Sequence, residues 1–321
     1  MKKIYTVLLS GLFLLFMSSS ALAVNLTATA HVQNIGDMSA TSGTAVKIGT
    51  EGQSLRMEAF TLKTDDPNLS VVYSGHVENI GWQNEVRNGE TAGTKGESKR
   101  IEAFKIRLEG ADANKYDIYY RAHVENYGTL DWAKNGEMAG TSQHAFRCES
   151  LEITIKDKNA EAPGETEMPM IWAYDRQEGE NLFRVNVLRK DNGKHILTGD
   201  PDLHRAAQIR ANELLVLYSH TRPNGESPTQ LARQTSEKLN NYRISENILT
   251  GTGGGARDFE IWENSPLHRE NMISSTYDRI FSYNVAEGVN DQGKSPALQW
   301  FGLDIQAENQ AAWDAWENGT Y

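Results

Sequence analysis

Five of the eight histidines stand among neighbours that invite chemistry. His220 lies in Ser219-His220-Thr221-Arg222-Pro223-Asn224-Gly225, between an apolar helical run and a proline–glycine turn. His268 follows Ser265-Pro266-Leu267. Ser265 as N-cap and Pro266 as first residue place His268 in the first turn of a helix. The positive end of that helix disfavours imidazolium and keeps the ring available as a ligand. Neutral imidazoles bind borderline cations such as Zn2+. The bland alternative for His220 is a bond to a backbone carbonyl at its helix end. His31, His76 and His123 are spaced by 45 and 47 residues. Such recurrence points to one local hydrogen bond built three times, rather than to a metal. Trp82 and Trp132 carry flat apolar faces that can stack on sugar rings or pack between strands.

No side chain reads as a nucleophile. Ser219 and Ser265 are helix-terminal residues, and Cys148 is a lone cysteine. The run Gly251-Thr252-Gly253-Gly254-Gly255 lacks the Lys-Ser or Lys-Thr of a phosphate loop and reads as a flexible rim.

The elements that hold these residues follow from length and pattern. A chain of 321 residues predicts about two domains. A net charge of −11 argues against a nucleic-acid or anionic-membrane binder. Lys2 and Lys3, an apolar run from Val7 to Met17, and Ala21-Leu22-Ala23 predict a signal peptide over residues 1–23. That run is shorter than the roughly 20 apolar residues of a membrane span, and no later segment reads as a transmembrane anchor. The expected product is secreted, with stability that comes from packing rather than an internal disulfide. Cys148 is then a buried, inert thiol.

Residues 24–156 hold a three-fold repeat. His-Val-Gln/Glu-Asn begins each copy at His31, His76 and His123. Each copy continues to a Gly-Thr pair at Gly49, Gly93 and Gly140, and then to Arg56-Met57-Glu58, Arg100-Ile101-Glu102 or Arg147-Cys148-Glu149. Matched landmarks in three copies define a repeat. Segments such as Val71-Val72-Tyr73-Ser74-Gly75-His76-Val77 alternate apolar and polar residues as half-buried strands do. Asn88-Gly89 and Asn135-Gly136 mark tight turns. One copy is too small to fold well alone. Three copies, over about 27–71, 72–117 and 118–156, predict an all-β domain closed around a three-fold axis, β-trefoil-like or β-prism-like.

Residues 157–178 are rich in charge, Ala, Pro and Gly, and predict a linker. Beyond it the pattern turns helical. Glu180 to Arg189 can form a short helix. Asp200-Pro201 starts a longer one running from Leu203 to Ser219, with Leu203, Ala206, Ala207, Arg210, Leu214 and Leu217 on one stripe. Ser227-Pro228-Thr229-Gln230 is a capping box, and Phe259 with Trp262 marks a further helix. The segments at 280–286 and 297–305 read as antiparallel strands, giving an α+β arrangement. In the tail, residues 306–321, Trp313 and Trp316 have the spacing of a short packed helix.

Two resemblances sharpen this outline. The block from His76 to Leu108 resembles the ChW (clostridial hydrophobic, conserved tryptophan) repeat. Trp82 and Trp132 occupy two of its tryptophan positions, and the first copy has Asp37-Met38 instead. The resemblance implies a Gram-positive, clostridium-like source and attachment to a cell-wall or host glycan surface. The ordered set Asn186-x-x-Arg189, Arg210-Ala211-x-Glu213, Ser219 to Gly225, Ser245-Glu246-Asn247-Ile248, Trp262 to Met272 and Gln299-Trp300-Phe301-Gly302 resembles the bacterial branch of the CAP superfamily, over residues 179–305. That family implies an α-β-α sandwich with a cleft carrying two histidines and two acids. His220, His268 and Glu246 match three of them. At the fourth position stands Ser265, with Glu263 two residues short. The resemblance implies a cleft that binds a ligand or divalent cation through His220, Glu246 and His268. A zinc-dependent extracellular hydrolase (peptidase) is the alternative, and a lipid carrier the second.

Overall fold

The computed structural model of the protein describes residues 24–43, 45–251, 254–276 and 280–304. The expected signal peptide, the tail with Trp313 and Trp316, and the middle of the Gly251–Gly255 loop lie outside the described residues.

The first repeat contributes β1 (Leu26–Val32), β2 (Gly36–Ser42), β3 (Ala45–Gly49) and β4 (Met57–Thr64). The second contributes β5 (Ser70–Val77), the short β6 (Gly81–Trp82), β7 (Val86–Arg87) and β8 (Ala92–Gly93), then β9 (Ile101–Glu109). The third contributes β10 (Tyr116–Val124), β11 (Gly128–Thr129), β12 (Ala133–Lys134), β13 (Met138–Thr141) and β14 (Cys148–Asp157). Each copy pairs its long strands antiparallel, and each borrows a strand. β8 of the second copy joins β4, β13 of the third joins β9, and β3 of the first joins β14. The borrowing runs in a cycle, so no copy completes its sheet alone.

The Gly-Thr landmarks mark the crossing points. Gly49, Gly93 and Gly140 have φ of +108°, +102° and +121°. A Cβ there would sit 2.3–2.4 Å from the carbonyl oxygens of Glu149, Glu58 and Glu102 in the neighbouring copy. Only glycine allows that approach. Beneath the sheets, Phe60 lies 5.3 Å from Tyr73 and 5.9 Å from Phe104, centroid to centroid. Cys148 fills the buried slot that Met57 and Ile101 fill in the other copies. Burial pushes its thiol up, which keeps it inert as expected.

The histidine slot is less uniform than its recurrence implies. His31, His76 and His123 each face the residue six positions on across a hairpin. His31 Nδ1 meets Asp37 at 2.6 Å and His123 Nδ1 meets Thr129 Oγ1 at 2.9 Å. In the second copy that partner is Trp82, whose ring lies edge-on to His76 at 5.4 Å. The bond across the hairpin is therefore built twice; in the second copy Trp82 packs against the ring and His76 Nδ1 lies 3.1 Å from Glu102 Oε2 instead.

The stretch read as a linker is pinned along its length. Trp132 N donates to the Glu165 carbonyl at 2.9 Å, and Met168 N donates to Asp131 at 2.8 Å. β15 (Met170–Ile171) then pairs parallel with β13.

The second half comprises α1 (Arg176–Asp191), β16 (Thr198–Gly199), α2 (Pro201–Glu213), α3 (Pro228–Thr235), β17 (Tyr242–Thr250), α4 (Gly255–Glu263), α5 (Pro266–Ile273), β18 (Ile280–Val285) and β19 (Pro296–Asp304). Asp200 caps α2 and the Ser227–Gln230 capping box starts α3, as expected. α2 ends at Glu213, six residues short of the expected Ser219, and leaves Leu217 exposed. The sheet order is β16-β18-β19-β17, with β17 at one edge. One face packs Leu182, Phe259, Trp262 and Met272 of α1, α4 and α5 against Phe281 and Phe301. The other packs Leu203, Ala207 and Leu231 of α2 and α3 against Leu298 and Trp300.

The two halves share a core. Tyr127 stacks edge-on to Phe183 of α1 at 5.8 Å, and Asn186 Nδ2 donates to its Oη at 3.4 Å. At the equivalent turn tips, Ile35 and Ile80 are 47% and 46% exposed. No helix among the described residues is long and apolar enough to cross a membrane.

Candidate functional site

Glu246 anchors the site. It lies on β17 directly opposite Trp300 of β19. Both project onto the α2–α3 face, where Arg210 of α2 is fully buried. Arg210 Nε donates to Glu246 Oε2 at 3.0 Å and Nη2 donates to Oε1 at 3.3 Å. Trp300 Nε1 donates to Oε2 at 2.9 Å. A buried carboxylate needs such partners, because its unpaired charge would be strongly destabilising.

His220 completes the set from outside. Its loop follows α2 and is fixed by Arg222, which pairs with Glu213 at 2.8 Å and with Glu226 at 2.6 Å. Arg210 also donates to the Ser219 carbonyl, tying the residue before His220 to the carboxylate. His220 Nδ1 lies 3.1 Å from Glu246 Oε1, while its side chain is 63% exposed. The hydrogen bond to Glu246 pulls its ring above the usual imidazole range.

His268 reaches the same edge from the opposite face, on α5. Ser265 does not cap its helix with its side chain; its Oγ lies 2.8 Å from His268 Nδ1. Asn247 Nδ2 donates to the His268 carbonyl at 3.0 Å, which ties the helix to β17. Burial, and then the charge of His220, push the His268 ring below its usual range. A buried amide chain backs this contact: Asn247 donates to Gln299 at 3.0 Å, and Gln299 donates to Asn181 of α1 at 2.7 Å.

The structure thus brings His220 and Glu246 into contact, with His268 alongside. Glu263 joins none of the three by a hydrogen bond or ion pair among the described residues. Arg210, Trp300 and Ser265 complete the arrangement, and only their places in a motif marked them. One signal did exist: Arg210 sits in the apolar stripe of α2, and a charge there must find a buried partner.

Glu246 is a poor ligand for a divalent cation. Both Glu246 oxygens already accept from three side chains, one of them a guanidinium. His220 and His268 turn their Nδ1 atoms to Glu246 and Ser265, an orientation in which any ligation would fall to Nε2. Among the described residues no three His, Cys, Asp or Glu groups gather as a metal site would require.

The two tryptophans diverge. Trp82 is 37% exposed, with Lys105 Nζ 4.3 Å from its ring centroid. It borders an open depression with Gln83, Asn84, Val86 and Thr91. Trp132 is 4% exposed, between Arg121 on one side and the segment around Gly164 on the other.

Two family models match the chain. One, described as Clostridial hydrophobic W, matches residues 31–65, 76–110 and 123–157. The other, described as Cysteine-rich secretory protein family, matches residues 182–280. Among solved structures, the crystal structure of an extracellular protein containing a SCP domain from Bacillus anthracis str. Ames is similar at 13% identity, with a TM-score of 0.33. The alignment covers 65% of this chain, which spans 65% of that chain's length. Comparison with curated proteins finds no match.

Proposed function

We propose, for a chain that joins three ChW repeats to a CAP domain, that it is an extracellular binding protein with two sites. The repeat half attaches to a cell-wall or host glycan through Trp82, the tryptophan left open for stacking. The CAP cleft binds the polar or anionic group of a ligand. One observation carries that second assignment. Glu246 spends both oxygens inward, and the outcome at the surface is an exposed imidazole held towards its charged form. An exposed imidazole held towards its charged form favours an anion or a hydrogen-bond acceptor. A zinc-dependent hydrolase, the alternative, would have to use His220 and His268 without Glu246 as a metal ligand. The cyclic exchange of strands among three sheets supports the β-prism form of closure over the trefoil.

Co-sedimentation of the full chain with purified Gram-positive cell wall tests the division of labour. Trp82→Ala should lower retention, while His220→Ala and His268→Ala should leave it unchanged. Retention lost only in the histidine variants would reverse the assignment.

A further inference from the structure

β17 is an edge strand, and its outer main-chain groups alternate between covered and open. Ile244 N donates away from the sheet to Thr229 Oγ1 at 3.2 Å. The Ile248 carbonyl accepts from Trp262 Nε1 at 3.3 Å, on the same side. In an antiparallel pair, residues two apart point their N–H and C=O the same way. The N–H and C=O of Glu246 therefore also face outward, midway between these two covers. Neither group has a hydrogen-bond partner of its own among the described residues. Glu246 is 9% exposed as a whole, against 4% for its side chain, so its main chain takes the larger share of the solvent contact. An unpaired edge N–H and C=O is a template for another backbone.

The surroundings narrow what that backbone carries. His220 stands beside Glu246 on one face of the sheet and His268 is tied to the neighbouring Asn247 on the other. Tyr218, two residues before His220, and Leu267, next to His268, are exposed. The opening thus offers one main-chain donor, one main-chain acceptor, two imidazoles and apolar flanks.

We propose that the cleft binds an extended, acidic peptide segment that pairs its backbone with the N–H and C=O of Glu246 and sets a carboxylate against His220. This rests on the reading of the cleft as a ligand site and names the class of ligand. Thr229 and Trp262 limit the pairing to one residue of the edge, so the peptide's side chains and its charge must supply the rest of the affinity. Main-chain pairing with pockets for alternate side chains is a known route to peptide recognition.

The test is selection of random heptapeptides displayed on phage against the full chain, followed by titration of the synthetic winners. Enriched peptides should contain Asp or Glu. Methylating the one amide nitrogen that pairs with Glu246 should weaken binding by about tenfold. Methylating the next amide, which points away, should leave binding unchanged. His220→Gln should remove the preference for an acid and keep the methylation pattern. Enrichment with no alternating effect of N-methylation would overturn the backbone pairing. Should selection yield nothing while soluble cell-wall fragments shift the His220 and His268 resonances, the cleft is a ligand site but not a peptide site. Should neither peptides nor fragments move those resonances, the reading of the cleft falls as well.

Discussion

Trp300 Nε1 donates to Glu246 Oε2 at 2.9 Å, across the one register step that puts the two residues opposite each other on β19 and β17. The indole is fully buried, so its N–H needs an acceptor, and the carboxylate needs donors. Each residue thus settles a requirement of the other. Arg210 then neutralises the pair from α2 and, through the Ser219 carbonyl, sets the position of the His220 loop.

Replacing Arg210 tests this dependence. Arg210→Met leaves a buried carboxylate without its cation and should destabilise the CAP half by about 3–5 kcal/mol. The double variant Arg210→Met/Glu246→Leu should recover a large part of that loss, because two matched apolar groups leave no orphan charge. Urea unfolding followed by tryptophan fluorescence measures both. A double variant no more stable than the single one would contradict the account.

His220 and His268 should titrate in opposite directions from 6.5, the ordinary value. His220 is raised by Glu246, so its contribution to stability is fully present below pH 6.5 and is lost as pH rises through its folded value. His268 is lowered by burial and by His220, so its neutral form is favoured on folding. Its contribution is present above pH 6.5 and is lost as pH falls through its folded value. NMR titration of the imidazole carbon-bound protons should give a higher midpoint for His220 than for His268. Glu246→Gln should bring the two midpoints together. Equal midpoints in the unaltered chain would remove the electrostatic argument.

How much of this was legible in the sequence depends on what kind of residue did the work. Repeats were legible because their landmarks are steric: the Gly of each Gly-Thr pair cannot change without a clash. Helix starts were legible because caps are local, as at Asp200 and Ser227. The end of α2 was not, since Leu214, Leu215 and Leu217 continue an apolar pattern past the last helical turn. β17 escaped notice for a different reason. Its middle reads Arg243, Ile244, Ser245, Glu246, Asn247, a polar run with no strand alternation. Glu246 and Asn247 are buried by hydrogen bonds to Arg210, Trp300 and Gln299, which no periodicity records. The families' motifs named Glu246 and both histidines; only the fold supplies Arg210 and Trp300 as the partners that commit the carboxylate.

The crossing glycines carry a stability prediction. Gly140→Ala puts a Cβ 2.4 Å from the Glu102 carbonyl at a φ of +121°. The neighbour is backbone and cannot step aside, so the loss should be about 2–4 kcal/mol. Gly36→Ala also has a positive φ, +86°, but its Cβ would meet nothing within 4 Å. It should cost about 1 kcal/mol, the conformational term alone. Circular dichroism melts of the two variants check the ranking, and equal losses would mean the borrowed strands are not held this tightly.

Tyr127 decides whether the halves unfold together. The same turn position is exposed in the first two copies, at Ile35 and Ile80, and buried against Phe183 in the third. The third copy therefore uses a repeat feature as a docking knob. Tyr127→Ala would empty the space between Phe146 and Phe183 and should destabilise the contact by about 3–5 kcal/mol. Ile80→Ala, at an open tip, should stay within about 0.5 kcal/mol of the parent. A core that crosses the junction predicts one cooperative calorimetric transition for the unaltered chain. With Tyr127→Ala that transition should separate into two, the repeat half and the CAP half melting independently. Two transitions in the unaltered chain would show that the shared core does not couple the domains, and the knob would then be a contact without a mechanical role.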